Sequence, residues 1–255
     1  MKNLIVTAAG KSTRFEGLRP KWMLTHPMGN WMLVEALKNI DFNSIDKVYF
    51  GFMKQHIENY DCMDGIKLAL KEIGIEDKAE IILLERPTMN QPHTVYEVIK
   101  KAKVEGQIII KEVDNYFKYK MQNGNFMCYY DLNNTNSINP SNKSYIKIDN
   151  KGFITDIVEK RVMSHTFGCG SYSFENESEY CEYFEKLSDN PNLYLSDIIK
   201  LMIENGIKFK SVEVSDYVDW GTKEDWFKYL RQYKTLFVDI DGTLVKSSGK
   251  YTKPY

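Results

Sequence analysis

Short apolar runs alternate with longer stretches of helical periodicity over the first part of this 255-residue chain. The apolar runs predict buried strands, and the stretches in which apolar residues recur every three or four positions predict amphipathic helices. Strands that alternate with helices are typical of βαβ units and a largely parallel sheet. The predicted strands are 4–8, 47–52, 79–84 and 107–110, and the predicted helices are 33–40, 66–73 (with Leu68, Leu70 and Ile73 buried) and 95–102.

The second half of the chain begins with β segments separated by turns. Residues 123–130, 144–148 and 153–159 are rich in β-forming residues and lie between Asn, Ser and Gly turns. We expect them to form a smaller antiparallel extension that carries a substrate-binding face. Helices at 180–187, 195–203 and 222–233 and a strand at 209–214 complete an α/β fold, a mixed and mostly parallel sheet flanked by helices.

Composition excludes several classes of partner. Lys and Arg number 34 against 35 Asp and Glu, so the net charge of −1 provides no positive field for nucleic acid or an anionic membrane surface. No apolar run approaches about 20 residues, the length of a membrane-spanning helix. The cysteines, Cys62, Cys128, Cys169 and Cys181, include no Cys-x-x-Cys pair and are too few to cross-link this chain. We therefore expect a reduced, cytoplasmic protein.

A turn of small residues with nearby cations follows the first predicted strand. Residues 7–15 read Thr-Ala-Ala-Gly-Lys-Ser-Thr-Arg-Phe, and residues 19–21 read Arg-Pro-Lys. A Walker A loop would need Gly at position 5, which is Ile, and the Gly-x-Gly-x-x-Gly pattern fails because position 12 is Ser. Small residues still allow backbone N–H groups to approach a phosphate, and several cations suit a triphosphate. An exposed basic turn is the alternative.

The order of these residues resembles the opening of the sugar-phosphate nucleotidylyltransferases. That family reads Leu-Ala-Ala-Gly-x-Gly-Thr-Arg and, after a short gap, Pro-Lys with apolar residues; here Pro20-Lys21 precedes Trp-Met-Leu. The resemblance implies a Rossmann-like nucleotidyltransferase fold, with Arg14 and Lys21 as the catalytic residues that stabilise the triphosphate. It also implies that the loop binds the nucleotide through Ala8, Ala9, Gly10, Lys11, Ser12 and Thr13. Ser12 departs from the family, which has Gly there.

The resemblance continues along the chain. Residues 90–96 are similar to the family's base-reading turn, which makes Gln91 and Thr94 candidate nucleotide contacts. Asp114 follows an apolar strand, where the family places a metal-binding Asp, and Asp219 opens a segment similar to Asp-x-Gly-Thr-x-Glu-Asp, whose first Asp is the second metal ligand. The implied cofactor is Mg²⁺, held by these two acids. A turn acid is the alternative for Asp114, and Thr222 is a candidate helix N-cap.

Three further segments imply an acceptor site. Glu159-Lys160 resembles a Glu-Lys pair of the family, in which Lys160 would hold the sugar phosphate and Glu159 the sugar hydroxyls. Residues 167–174 resemble the family's Gly-x-Tyr-x-Phe strand, with Gly170 leaving room for a sugar ring. Asp197 lies in a segment similar to the one that precedes a substrate-facing helix. A surface ion pair at 159–160 and a helix N-terminal acid at 197 are the alternatives.

The resemblance implies transfer of a nucleotidyl group from an NTP to a sugar 1-phosphate, giving an NDP-sugar and pyrophosphate for surface polysaccharide synthesis. The implied partners are those two substrates, and a homo-oligomer is compatible with it. A cytidylyltransferase for a non-sugar phosphate such as phosphocholine is one alternative. A nucleotide-binding protein without turnover is another, and it would need neither Asp114 nor Asp219 within reach of a metal.

A second motif occurs near the end of the chain. Residues 235–245 resemble the first motif of haloacid-dehalogenase-type phosphatases, in which Asp239 would be the nucleophile and Asp241 the general acid. Too few residues follow for the rest of that fold. We therefore expect a nucleotidyltransferase domain at 1–233 and a truncated stub of a phosphatase-like domain at 234–255.

Overall fold

Strands and helices alternate in the first half of the chain, as a computed structural model shows for residues 1–134, 139–234, 238–239, 245–247 and 252–254. The strands are β1 Lys2–Ala8, β2 Lys47–Met53, β3 Ala79–Leu84, β4 Gln107–Glu112, β5 Asn115–Lys118, β6 Phe126–Asp131, β7 Ser144–Ile148, β8 Ile154–Glu159, β9 Thr166–Phe174, β10 Lys210–Glu213, β11 Ser215–Asp219, β12 Val245–Ser247 and β13 Thr252–Pro254. The α-helices are α1 Met32–Leu37, α2 Lys54–Tyr60, α3 Met63–Glu72, α4 Gln91–Ala102, α5 Glu177–Leu187, α6 Leu195–Glu204 and α7 Lys223–Leu230.

The main sheet has nine strands and is mostly parallel. Its order is β10-β6-β9-β4-β1-β2-β3, with β7 and β8 attached beside β9. Strands β3, β2, β1 and β4 pair in parallel, as do β6 and β10, whereas β9 runs antiparallel to both of its neighbours. The loops after β1, β3 and β4 therefore leave the same edge of the sheet. In open α/β sheets this carboxyl edge is where ligands bind.

The central strands are buried on both faces, which is why they read as continuous apolar runs rather than alternating ones. In β1, Leu4 and Val6 pack into one hydrophobic cluster and Ile5 into the cluster on the other face. Helices cover both faces, with α4 and α5 on the Ile5 side. A third, smaller cluster joins Phe15 to Trp220 and Trp226, so the loop after β1 packs against Trp220 and the start of α7.

The predicted α/β class and mixed sheet are confirmed, and β3 and β7 have the predicted bounds. Leu68 was expected to be buried, and this is wrong, because α3 turns it toward solvent and leaves it 59% exposed. The antiparallel extension is smaller than expected, since β6 joins the main sheet and only the β7–β8 hairpin extends from it.

A second, two-stranded sheet was not predicted. Strand β5 pairs antiparallel with β11, and Asn115 stands opposite Asp219 in their register. Each strand is four or five residues long and contains at most two adjacent apolar residues, so neither stands out from the surrounding loops in the sequence. This small sheet brings together two segments that lie about a hundred residues apart in the chain, and it shapes the site described next.

Candidate active site

The loop after β1 folds back so that its cations face the carboxyl edge of the sheet. A 3₁₀ turn over Thr13–Phe15 buries Phe15 and leaves Arg14 exposed. Ser12 has a φ of 51°, in the left-handed region that favours glycine, which fits the glycine preference of similar loops at this position. The Ser12 hydroxyl accepts a hydrogen bond from the Lys21 backbone N–H at 3.1 Å. The serine thus fastens the start of the next segment to the loop.

Asp114 is buried and holds two cations of this region. Lys21 Nζ donates to Asp114 Oδ2 at 2.6 Å, and Arg14 Nη2 lies 3.9 Å from the same oxygen. Burial raises the pKa of the Asp114 carboxyl, but the charge and hydrogen bond of Lys21, aided by Arg14, outweigh it and hold the pKa below its usual range. Asp114 is therefore an ionised carboxylate at neutral pH.

Asp219 comes to the same place from the other end of the chain. The pairing of β5 with β11 sets it beside Asn115, and the Trp220 backbone N–H donates to the Asp114 carbonyl at 2.8 Å. Asp219 Oδ2 accepts a hydrogen bond from Lys143 Nζ, and its Oδ1 accepts one from the Gly221 N–H at 3.0 Å. The strand pairing brings the two acids together.

Gly221 marks the point on which the two carboxylates converge. A Cβ added to Gly221 would lie 3.0 Å from Asp219 Oδ1, 3.6 Å from Asp114 Oδ2 and 3.8 Å from Arg14 Nη1. Carboxylate oxygens are the ligands that Mg²⁺ prefers, and Mg²⁺ commonly takes one or two of them together with substrate phosphates. Within the described ranges, no group of three or more His, Cys, Asp and Glu side chains could hold a metal. Two carboxylates could therefore hold Mg²⁺ only together with substrate oxygens.

Two cavities meet at Asp114. One, of about 500 Å³, is lined by the loop after β1, the start of α4 and residues 191–194, and the other, of about 430 Å³, is lined mainly by β7, β9 and β11 and their loops. Both are lined by Thr13, Arg14, Gln91, Glu112, Asp114 and Tyr194. We call the first the nucleotide-side cavity and the second the acceptor-side cavity, after the predicted contacts that line each of them.

Most of the predicted nucleotide contacts line the nucleotide-side cavity, namely Ala8, Gly10, Lys11, Ser12, Thr13, Gln91 and Thr94. Ala9 does not, because its side chain packs into the hydrophobic core. Gln91 Nε2 donates to Thr7 Oγ1 at 3.1 Å, and Thr94 Oγ1 lies 2.7 Å from Thr88 Oγ1. Asn90 caps α4 by accepting from the His93 N–H, which fixes the turn that carries Gln91.

Some of the predicted acceptor residues line the acceptor-side cavity, and one of them instead caps a helix beside it. Glu159 and Lys160 line the acceptor-side cavity; Glu159 Oε1 accepts hydrogen bonds from Ser144 and Ser196, and Lys160 Nζ donates to the Tyr194 hydroxyl at 2.6 Å. Asp197 is not among the residues that line either cavity. Its Oδ2 accepts from the Tyr194 N–H at 2.9 Å at the start of α6, the helix-capping role that was the alternative.

Glycine is required at position 170 by the neighbouring side chains and by the backbone conformation, independently of any sugar ring. A Cβ there would lie 2.4 Å from Asn115 Nδ2 and 2.6 Å from Glu112 Oε2, and φ is +90°. Gly170 still lines the acceptor-side cavity, but the space beside its Cα is filled by these two side chains.

Three charged residues of the site were missed by sequence reasoning. Lys111 is buried, and its Nζ donates to the carbonyls of Glu112 at 2.7 Å and Asn115 at 3.1 Å, which holds the turn before β5. Burial lowers the pKa of Lys111 to about 8, against the opposing charges of Glu112 and Asp114. Burial, with the charge of Asp114, raises the pKa of Glu112. Lys143 follows a polar loop and carries no sequence signal, whereas Lys111 had one, a charge within a run of isoleucines.

The phosphatase-like motif lies mostly outside the described residues. Asp241, Gly242 and Thr243 are not described, and Asp239 is exposed. Strands β12 and β13, which follow, pair antiparallel with each other. The division of the chain at 233/234 stays a prediction.

Comparisons with known proteins support the resemblance to sugar-phosphate nucleotidylyltransferases and give no support to the phosphatase resemblance. The chain is 25% identical over 224 residues to bifunctional protein GlmU of Psychrobacter sp. (strain PRwf-1), a match that covers 82% of this chain and 46% of the relative. The chain thus spans about half the length of that curated relative. No family model matches.

Solved structures share the fold. A nucleoside-diphosphate-sugar pyrophosphorylase from Vibrio cholerae RC9 superposes with a TM-score of 0.74 at 20% identity, over 89% of this chain and 100% of that one. The inositol-1-phosphate CTP transferase from T. maritima gives 0.69 at 14% (88% and 91%), and UTP-bound UGPase from Acinetobacter baumannii gives 0.66 at 17% (91% and 93%). The protein therefore has the α/β fold of these nucleotidyltransferases.

In the part of the chain that the structure describes, no helix combines the length and the apolar character that a membrane crossing needs.

Proposed function

We propose that this protein transfers a nucleotidyl group from an NTP to a sugar 1-phosphate and releases pyrophosphate. The observation that carries the proposal is the meeting of two cavities at Asp114, with Asp219 brought to the same point by β11. A nucleotidyl transfer needs this arrangement, because the α-phosphate must face the donor's own site on one side and an acceptor phosphate on the other.

The side chains divide the work by position. Arg14 and Lys21 neutralise the triphosphate, since they lie on the wall of the nucleotide-side cavity beside Asp114. Lys160 holds the acceptor phosphate, and Glu159, fixed by two serine hydroxyls, accepts from acceptor hydroxyls. When bound between Asp114 and Asp219, Mg²⁺ supplies Lewis-acid stabilisation of phosphate charge.

The reaction is an in-line displacement at the α-phosphate. An oxygen of the acceptor phosphate forms a bond to this phosphorus as the bond to the pyrophosphate oxygen breaks, and pyrophosphate carries away the electron pair. No covalent enzyme intermediate is needed. Catalysis is positioning together with charge neutralisation, which are the usual contributions in phosphoryl transfer.

The wall of the acceptor-side cavity favours a polyhydroxylated acceptor over phosphocholine. Its members include Asn139, Asn142, Ser144 and Ser196, which offer hydrogen bonds to hydroxyls. A quaternary ammonium would need aromatic faces; of the three tyrosines on this wall, Tyr217 and Tyr194 already face Lys143 Nζ and Lys160 Nζ, 5.4 and 4.9 Å from the ring centroids. The converging acids also favour turnover over the non-catalytic alternative. Use of the product in surface polysaccharide stays a prediction.

Pyrophosphate release tests this proposal directly. Five NTPs are each incubated with Mg²⁺ and a panel of sugar 1-phosphates, inositol 1-phosphate and phosphocholine. We expect release that requires one NTP and one polyhydroxylated phosphate, and that is lost in Asp114→Asn. Asp64→Asn, at a fully exposed acid on α3, is the matched control and should behave as the wild type. Silence across the whole panel, or release with phosphocholine alone, would contradict the proposal.

A further inference from the structure

Each acid of the converging pair is already matched by a lysine. Asp114 is paired with Lys21 and Asp219 with Lys143, and these four side chains are 8–21% exposed. The side chain of Lys143 is 11% exposed and that of Lys21 is 21% exposed, so Lys143 is the more enclosed lysine. Each acid of the pair therefore has a counter-charge from the chain itself.

We propose that Lys143 is a built-in counter-ion of Asp219 that keeps the free protein's affinity for divalent cations low, so that the metal enters together with the nucleotide. Lys143 acts through Asp219 and is a positioning residue. The inference rests on the proposed function, because only that function assigns a metal to Asp114 and Asp219.

Electrostatics supports this role. Two largely buried carboxylates facing one point repel each other, and leaving them unpaired would cost stability. Two lysine ammonium groups remove that cost, but they also remove the net negative charge that would attract a free cation. The phosphates of an NTP change the balance, because they offer Lys21 other partners and give the cation several more oxygen ligands.

The contacts of Lys143 hold its ammonium group in place beside Asp219, as a permanent counter-ion requires. Its Nζ also donates to the Tyr217 hydroxyl at 3.0 Å and faces the rings of Phe167 and Tyr217, so the ammonium is held when the protein is empty. Its carbonyl accepts from the Lys160 N–H at 2.8 Å, which fixes the backbone at the start of β7. Lys143 binds Asp219 Oδ2, whereas Oδ1 lies nearer to the point shared with Asp114.

Binding of Mn²⁺ to the full chain without substrate, followed by electron paramagnetic resonance, tests the inference. Lys143→Met should bind Mn²⁺ about tenfold more tightly than the wild type, because a positive charge a few ångströms from the cation is removed. A merely structural lysine predicts the opposite sign, since a misplaced Asp219 would weaken binding. Lys143→Arg, which keeps the charge, should retain the wild-type affinity.

Two further measurements keep the test decisive. Lys118→Met removes an exposed lysine of β5 that pairs with Asp216 rather than with Asp219, so Mn²⁺ affinity should not change. Without metal, Lys143→Met should melt at a lower temperature than the wild type, and Mn²⁺ should raise its Tm more than that of the wild type. If Lys143→Met fails to fold without metal, Lys143→Gln is measured in its place.

Equal or weaker Mn²⁺ binding by the uncharged variant overturns the inference. That outcome is separate from failure of the proposed function, since the measurement uses no substrate. A wild type that releases pyrophosphate while Lys143→Met shows unchanged Mn²⁺ binding overturns the counter-ion alone. A wild type that is silent with every NTP overturns the function, whatever the Mn²⁺ result.

Discussion

Lys21 and Lys111 are both lysines beside carboxylates, but their surroundings give them different roles. Lys21 is partly exposed and opens onto the nucleotide-side cavity, so its ammonium can be shared between Asp114 and a phosphate. Lys111 is fully enclosed and bonded to backbone oxygens of the turn after β4, which it holds in shape. The residue type alone does not distinguish the two lysines; the exposure of each ammonium and its oxygen partners do.

Replacing Lys21 tests the catalytic assignment at this scale. We expect Lys21→Ala to lower kcat/KM by about a hundredfold, the usual effect of losing one preorganised charge. Pyrophosphate release under saturating and subsaturating NTP measures it. Lys67→Ala, on the exposed face of α3, is the control and should leave kcat/KM unchanged. Full activity in Lys21→Ala would contradict the assignment.

Gly170 and Gly152 form a pair that separates steric clash from backbone strain. Both have positive φ, +90° and +82°, but a Cβ at Gly152 meets nothing within 4 Å, whereas one at Gly170 meets Asn115 and Glu112. We expect Gly152→Ala to cost about 1 kcal/mol of unfolding free energy from strain, and Gly170→Ala about 1–3 kcal/mol more from overpacking. Urea denaturation measures both. Equal costs would mean that the site around Gly170 relaxes freely.

At the scale of elements, the segment after Lys21 is tied to α7 through one histidine. His26 Nδ1 accepts from the Met28 N–H at 3.2 Å, so its Nε2 carries the proton and donates to the Tyr229 hydroxyl at 2.9 Å. The ring also lies 5.3 Å from that of Trp220, next to Asp219. The first and last parts of the site therefore share a support that lies outside both cavities.

This tie predicts a loss of stability in mild acid. Burial lowers the pKa of His26 below its ordinary value of 6.5, with Glu35 opposing and Lys38 adding to the shift. Because the unfolded chain binds this proton more readily, the stability contribution is complete above about pH 6.5 and is lost as the pH falls below it. Tm measured from pH 8 to 5 should fall less steeply in His26→Gln.

A second, half-buried histidine provides the comparison for that experiment. Burial also lowers the pKa of His56, which lies on α2 away from this contact. His56→Gln should therefore remove only the part of the Tm decrease at low pH that His56 causes. The part that His26 causes should remain. Identical pH profiles for the wild type and His26→Gln would show that His26 titrates alike in the folded and unfolded chains.

At the scale of the whole molecule, the site is assembled from distant parts of the chain. The nucleotide-side cavity takes residues from 7–22, 88–94 and 112–114 but is closed by 191–194, and Asp219 completes the acid pair. A ligand that bridges these parts binds only the folded protein, so it stabilises the fold by mass action.

Thermal unfolding with ligand measures this assembly. We expect the productive NTP with Mg²⁺ to raise the unfolding free energy by about 2.7 kcal/mol at a hundred times its Kd. Asp219→Asn should reduce the gain although it lies outside the nucleotide-side cavity, because one of the two acids is lost. Asp64→Asn should keep the full gain. An undiminished gain in Asp219→Asn would separate Asp219 from nucleotide binding.

The amino-acid sequence by itself determined the class of fold and predicted most residues of the candidate site. The apolar runs of β1 to β4 are long because these strands are buried on both faces, and the order of Arg14, Lys21, Asp114 and Asp219 was enough to nominate two cations and two acids. Secondary structure can be predicted from the sequence where burial or the helical period imposes a pattern of apolar residues.

Tertiary structure decided where the predicted residues lie and what they contact. Short strands β5 and β11 have no periodicity of their own, yet their pairing sets Asp219 beside Asp114. Asp197 proved to be a cap and Ala9 a core residue, and Lys143 gained its role only by lying against Asp219. Charge pairing depends on distances of a few ångströms between residues far apart in the chain, and those distances are set only when the strands have paired in the folded protein.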